Sequence, residues 1–340
     1  MRSWVWVVAL LHVAVVCCGA GRRERSTPSE VERPITIVVP SGAGGFTDQL
    51  TRIVADELQE PLQERIVIVN KPGASGSVGT KNVQNASHDG YTWAAGTAAN
   101  LGTFKILGLL DTSWEDWILY LIVADVPVVA VNRESPYQTF GDLLQAFRER
   151  PGQVRVATAG RFSSGHHAIE AIRRHTGAEY LHVPLDGANA AILACVAGET
   201  EVVTQHALEQ SDMFAAAKLR PLAVLNDIPL ELKGYGWIPP ITNWIPEFRP
   251  VLEYYGIWIL KDTPGEITAA VGDLWDTIIT GSQQLQDYAA QRGAVFDPCW
   301  GEEAQAKAQP FLRQYAWSLY DTGAARISPT QAGIEKPQRE

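Results

Sequence analysis

Ile35-Thr-Ile-Val-Val-Pro-Ser-Gly-Ala-Gly-Gly-Phe-Thr-Asp48 is the stretch that decides the fold. Its first five residues form a β-branched run that reads as a buried strand. Pro40 to Gly45 is a turn. From Phe46 to Leu58 the apolar residues Leu50, Ile53, Val54 and Leu58 recur at helical spacing. A glycine-rich turn between a strand and a helix places free backbone N–H groups and the positive end of the helix dipole beside the loop. Gly42, Gly44 and Gly45 let the chain turn tightly and approach a ligand. This makes an anion site without a basic side chain, and Thr47 and Asp48 suit the first helical turn. A plain structural turn is the competing reading, because one glycine loop is weak information.

The same alternation runs outward from this unit. Ile66–Val69 reads as a strand, Pro72–Gly79 as a glycine-rich loop, and Asp89-Gly90 as a tight turn into Tyr91–Ala95. Strands are expected at 128–131, 153–158, 180–183, 222–225 and 254–260, and helices at 139–150, 165–175, 188–197, 267–281 and 302–319. Alternation of this kind implies an α/β fold with parallel sheets. We expect two α/β lobes: residues 33–129 with 255–327 in the first, and 130–254 in the second. The chain crosses near Ala130 and returns near Tyr255. A polar tail, 328–340, follows.

The first 20 residues read as an export signal, with Arg2 ahead of an apolar Val5–Val16 and a small-residue exit at Cys18-Gly19-Ala20. That apolar run is too short to span a bilayer. An uncleaved anchor and lipidation at Cys17 or Cys18 are the competing readings. Residues 21–32 read as a flexible tether. The expected location is the periplasm.

The formal net charge of −10 disfavours nucleic acid and anionic lipid as partners. No Walker run is present, and a dinucleotide loop counted from Gly42 requires glycine where Thr47 stands. No cofactor and no metal are expected. Cys195 and Cys299 lack metal-like spacing and read as structural; on the lobe assignment they do not pair. His166 and His167, adjacent at a helix start, point to different faces. No G-x-S-x-G elbow accompanies Ser163 or Ser164, so a hydrolase triad is not supported.

A second strand-to-helix loop is Thr158-Ala-Gly-Arg-Phe-Ser-Ser-Gly-His166. Thr158, Ser163 and Ser164 supply hydroxyls, and Arg161 is of a type that clamps carboxylates. Two alternatives stay open: Ser163 and Ser164 as helix caps, and Arg161 as a solvated side chain. One such loop per lobe suits a dicarboxylate held across a cleft.

Pro34–Asp48, Asn70-Lys-Pro-Gly-Ala-Ser-Gly-Ser-Val-Gly79, Asp89-Gly-Tyr-Thr92 and His182-Val-Pro-Leu-Asp-Gly187 together resemble the solute receptors of tripartite tricarboxylate transporters, the Bug-type receptors. Ser135-Pro136, Pro151-Gly152, Gly198-Glu199 and Thr263-Pro264 fall in the same order, so the resemblance covers roughly 33–325. It implies a type II periplasmic-binding-protein fold, a small organic carboxylate as ligand, and membrane transporter subunits as partners. It places ligand contacts on Ala43, Gly44, Gly45 and Asp48, and on the loop Thr158 to His166, with Gly160 and Gly165 inside it. The chain departs from the family at Ala43, Leu185 and Pro240–Trp244, which bears on ligand identity. The expected function is thus a monomeric, non-enzymatic receptor for a di- or tricarboxylate. An α/β enzyme using the GAGG loop for phosphate or nucleotide, and a receptor coupled to sensing, are the alternatives.

Overall fold

The computed structural model describes residues 33–160, 163–185, 188–321 and 323–337. The expected export signal and tether lie outside the described residues. In chain order the first elements are β1 (Ile35–Val39), α1 (Phe46–Leu62), β2 (Ile66–Asn70), α2 (Ser77–Gln84), β3 (Thr92–Thr97), α3 (Ala98–Leu107) and β4 (Trp117–Asp125). A second group follows: β5 (Pro127–Asn132), α4 (Phe140–Glu149), β6 (Arg155–Thr158), α5 (Ser164–Thr176), β7 (Leu181–Pro184) and α6 (Ala188–Val196). It continues with β8 (Val202–His206), α7 (Ala207–Ala215), β9 (Leu219–Val224), β10 (Leu230–Leu232) and β11 (Gly236–Ile238). The chain then returns through β12 (Glu253–Leu260), α8 (Gly265–Thr277), α9 (Gln283–Arg292), β13 (Val295–Trp300) and α10 (Gly301–Asp321).

Two sheets organise these elements. The first is six-stranded, in the order β13-β4-β12-β3-β1-β2, and the second five-stranded, in the order β7-β6-β8-β5-β9. β1 is parallel to β2 and β3, but β12 is antiparallel to both β3 and β4, and β13 to β4. The sheets are therefore mixed, where alternation alone predicts parallel ones. The cause is connectivity. β4 carries the chain out of the first sheet and β12 brings it back alongside, so these neighbours run in opposite directions. The passage into the second sheet is a single residue, Val126, between Asp125 and Pro127, earlier than the crossing expected near Ala130. β4 itself is absent from the expected elements, although its burial on both faces matches its unbroken apolar sequence WILYLIVAD.

Burial follows the helical and strand periods. On α1, Leu50, Val54 and Leu58 are buried at four-residue spacing. Trp93, Trp117, Trp258 and Trp275 are fully buried. Burying an indole leaves its N–H to be satisfied. Trp275 Nε1 donates to Leu121 O at 2.7 Å and Trp117 Nε1 to Thr112 Oγ1 at 2.9 Å. The polar tail expected from Ser328 is anchored as far as it is described, because Ile334 is buried with Ile106, Leu312 and Ala316. Cys195 on α6 and Cys299 on β13 are both buried free thiols, and burial pushes both up to about 12.

Gly256 marks the bulge in β12, where the register with β4 shifts. A Cβ there would lie 2.3 Å from Tyr120 O, a backbone atom with no room to yield. Gly256→Ala is expected to destabilise the protein by about 2–3 kcal/mol, read as a lower urea midpoint at unchanged slope. In the native protein neither cysteine should react with a thiol reagent until it unfolds, since each thiolate is disfavoured by burial.

Candidate functional site

The loop after β1 is held from below by Asp48. Its carboxylate is buried and accepts from Gly44 N at 2.8 Å, from Arg52 Nε and Nη2 at 3.0 Å each, and from Asn70 Nδ2 at 2.9 Å. Asn70 also donates to Ser41 O at 3.1 Å, which ties the end of β2 to the loop after β1. Gln49 Nε2 donates to Gly44 O at 2.9 Å, and Gln49 is itself held by Tyr288 and Arg292 of α9. Burial pushes the Asp48 carboxyl up, but the hydrogen bonds from Arg52, Gly44 and Asn70 outweigh it and hold the group below its usual range.

Two expectations for this loop change in consequence. Asp48 is an organiser of the loop, because its oxygens are occupied by loop partners. The Gly44 N–H is likewise occupied by Asp48, and Gly45 N lies 3.4 Å from Gly42 O. Gly44 has φ +79°, so the glycine is needed for the turn itself. Ala43 is exposed at the loop's outer edge.

Three helices begin around one cavity of about 450 Å³. Thr47 of α1, Gly76 before α2, and Thr97 and Asn100 at the start of α3 all line it, with Pro40, Ser41, Gly96 and Tyr255. The N-cap residues of these helices are Gly45, Gly76 and Thr97, and none makes a side-chain cap hydrogen bond. Elsewhere Thr139, Ser163 and Ser282 cap α4, α5 and α9 through their hydroxyls. The cavity thus faces helix starts that carry no side-chain cap, although Ser77 N of α2 donates to Ala74 O. It sits beyond the C-terminal ends of β1 and β3, where α/β sheets place ligands. No charged side chain lines it.

The wall formed by residues 73–76 is strained. Gly73, Ala74, Ser75 and Gly76 have φ of +135°, +44°, +54° and +91°. Left-handed backbone at a non-glycine residue costs on the order of 1–3 kcal/mol. A Cβ at Gly76 would also press on the Pro40 ring at 3.3 Å. The expected glycine-rich loop Pro72–Gly79 is therefore a left-handed turn followed at once by α2.

The second loop is built differently. Thr158 is fully buried; its hydroxyl donates to Gly160 O at 3.1 Å and lies 2.7 Å from His182 Nε2. Ser163 caps α5 by accepting from His166 N at 3.2 Å, so the capping alternative is the one adopted. Gly165 is a packing residue, since a Cβ there would meet Thr204 O at 1.9 Å. With its amide oriented to satisfy both partners, Gln205 accepts from Ala159 N at 3.1 Å. The His166 ring stacks on His182, centroids 4.1 Å apart, and Ser164 is half-buried in the first turn. Arg161 lies outside the described residues. None of the second-loop residues lines the cavity. Of the sequence-derived site residues Thr47 alone does; Ser41, Gly73–Gly76, Thr97, Asn100 and Tyr255 were not foreseen. Among the described residues no group of three or more His, Cys, Asp or Glu is arranged to hold a metal.

Two mixed α/β sheets that the chain enters in turn and returns between, with a cavity at strand ends, fit the class of the periplasmic solute-binding proteins. The chain belongs to the tripartite tricarboxylate transporter family receptors, whose family model matches residues 50–229. It is similar to a solute-binding protein of this family from Polaromonas, at 28% identity and a TM-score of 0.69, covering 87% of this chain and 99% of that one. It is also 28% identical to protein BugT of Bordetella pertussis, over 86% of this chain and 90% of the relative. The fold is shared with R. palustris Rpa4515, solved with adipate, at 24% identity and a TM-score of 0.60, over 86% of this chain and 98% of that one.

Asp48→Ala is expected to cost about 2–3 kcal/mol, because Gly44 N and Asn70 Nδ2 lose their acceptor in a buried position. A depressed carboxyl contributes stability that is present above its unfolded value and is lost as pH falls through its folded value. Asp48→Asn should therefore flatten the acid limb of the stability profile below about pH 4. An unchanged acid limb would count against Asp48 as the pin.

Proposed function

We propose that this chain is an exported receptor that captures a small organic anion, a di- or tricarboxylate, and delivers it to the membrane subunits of a tripartite transporter. The observation that carries this reading is the set of three helix starts without side-chain caps around one uncharged cavity. N–H groups without side-chain caps and three dipoles of the same sign favour a carboxylate. The hydroxyls of Ser41 and Thr47 and the Asn100 amide supply further donors. Ser41 Oγ is buried without a hydrogen-bond partner, an unmet polar group at the cavity wall. The reading is of binding without catalysis, because the wall offers donors and no nucleophile paired with a base. The cavity has room for a di- or tricarboxylate.

The test is thermal-shift screening of the protein lacking residues 1–20 against mono-, di- and tricarboxylates. A ligand at 100-fold excess over its Kd stabilises by about 2.7 kcal/mol. Thr47→Val and Asn100→Ala should each weaken the best ligand by about 0.5–1.5 kcal/mol, roughly 2- to 13-fold, by calorimetry. If no carboxylate raises the melting temperature, the reading is wrong.

A further inference from the structure

The cavity's inner end reaches a group of titratable side chains that carboxylate capture does not require. Asp125 ends β4, Val126 alone connects it to β5, and Pro127 of β5 lies opposite His206 of β8. In the first sheet, Glu253 lies opposite Asp125. His206 and Asp125 are both buried, with Nδ1 and Oδ2 3.0 Å apart, a charge pair off the line of a good hydrogen bond. Ala207 N donates to Val126 O at 2.9 Å, so the start of α7 rests on the passage itself. Glu209, in the first turn of α7, is exposed and its carboxylate accepts from the His206 backbone. Glu253 is half-buried and accepts from Thr97, and the next residue but one, Tyr255, pairs with Thr97 in register. Thr97 and Tyr255 both line the cavity. The group therefore lies between the cavity and the point where the chain changes sheets.

We propose that this group is a proton-linked hinge: the two sheets draw together as His206, Glu253 and Glu209, set around Asp125, take up a proton, and separate as they lose it. The inference rests on the receptor reading above and adds its regulation. Asp125 and Glu253 belong to the first sheet, His206 and Glu209 to the second sheet's layer. The other titratable groups facing them are Tyr255 of β12 and Tyr315 of α10. Burial pushes the Glu253 carboxyl up to about 7, against the pull of His206. Burial alone would discharge His206, but Asp125 outweighs it and the ring is raised to about 9. Below neutral pH His206 is cationic and Glu253 neutral. Raising pH through about 7 charges Glu253, a first-sheet anion facing Glu209. Approaching pH 9 removes the His206 charge that joins the two sheets. A raised carboxyl and a raised imidazole both favour the packed arrangement at the acid end and lose it as pH rises.

Lys81 on α2 and Arg174 on α5 are exposed, one beside each sheet, and suit Lys81→Cys and Arg174→Cys for a donor–acceptor dye pair. With residues 1–20 removed, as in the screen, the remaining native thiols are Cys195 and Cys299, which are buried and stay unlabelled. Without ligand, transfer efficiency should fall as pH is raised from about 6 to 9, with a first step near 7. Glu253→Gln should remove that step. Glu209→Gln, at an exposed site that tolerates change, should move it to lower pH by removing a neighbouring anion. Constant efficiency across the range overturns the proposal. So does an unaltered step in both variants. Because no ligand enters the measurement, its failure leaves the carboxylate reading standing, and failure of the screen leaves the hinge measurement intact.

Discussion

A helix cannot satisfy its own first N–H groups, and the proposed ligand site follows from that constraint. Hydroxyls of Thr139, Ser163 and Ser282 cap α4, α5 and α9, while α7 and α8 begin at His206 and Pro264 without one. At α1, α2 and α3 the cap position holds glycine or a threonine whose hydroxyl does not cap the helix, and these three starts meet at one cavity. The remaining features of the first sheet keep that rim in place. Asp48 fixes the loop after β1 to the end of β2, and Pro40 packs over Gly76, so the loops before α1 and α2 are held against each other. The left-handed turn at 73–76 is a local cost accepted at the same rim.

Much of this was legible in the sequence. ITIVVPSGAGGFTD specifies strand, turn and helix by period and glycine content, and the structure follows it from Ile35 to Leu62. That Asp48 sits where it can cap N–H groups or orient the loop was legible, but its partners were not. Nothing in its local spacing reveals that Asn70, 22 residues on, supplies a donor. The Gly73–Gly76 wall was visible as a motif but not as a wall, since a glycine run does not state which way it turns. Thr97 and Asn100 carry no local signature at all; they reach the cavity because β3 lies between β1 and β12 in the sheet. β4 was passed over since an unbroken apolar run lacks the alternation that marks a half-buried strand.

The second loop shows the opposite error. Its residues are those expected of an anion site, yet Thr158, Ser163 and Gly165 are each committed to the protein itself, as network member, cap and packing contact. Composition identifies what a loop can donate. Only the fold shows whether the donors are already used.

The account's central claim is that a carboxylate binds at the starts of α1, α2 and α3. The most direct measurement is titration of the isotope-labelled protein with the best carboxylate from a screen, followed by backbone amide chemical shifts. The account predicts saturable shifts concentrated at Phe46–Thr47, Ser77–Gly79 and Ala98–Asn100, with one dissociation constant common to all three segments. Shifts confined to the Thr158–His166 loop, or to the separate aromatic groove around Tyr235, Trp237 and Trp244, with those three segments unmoved, would contradict it.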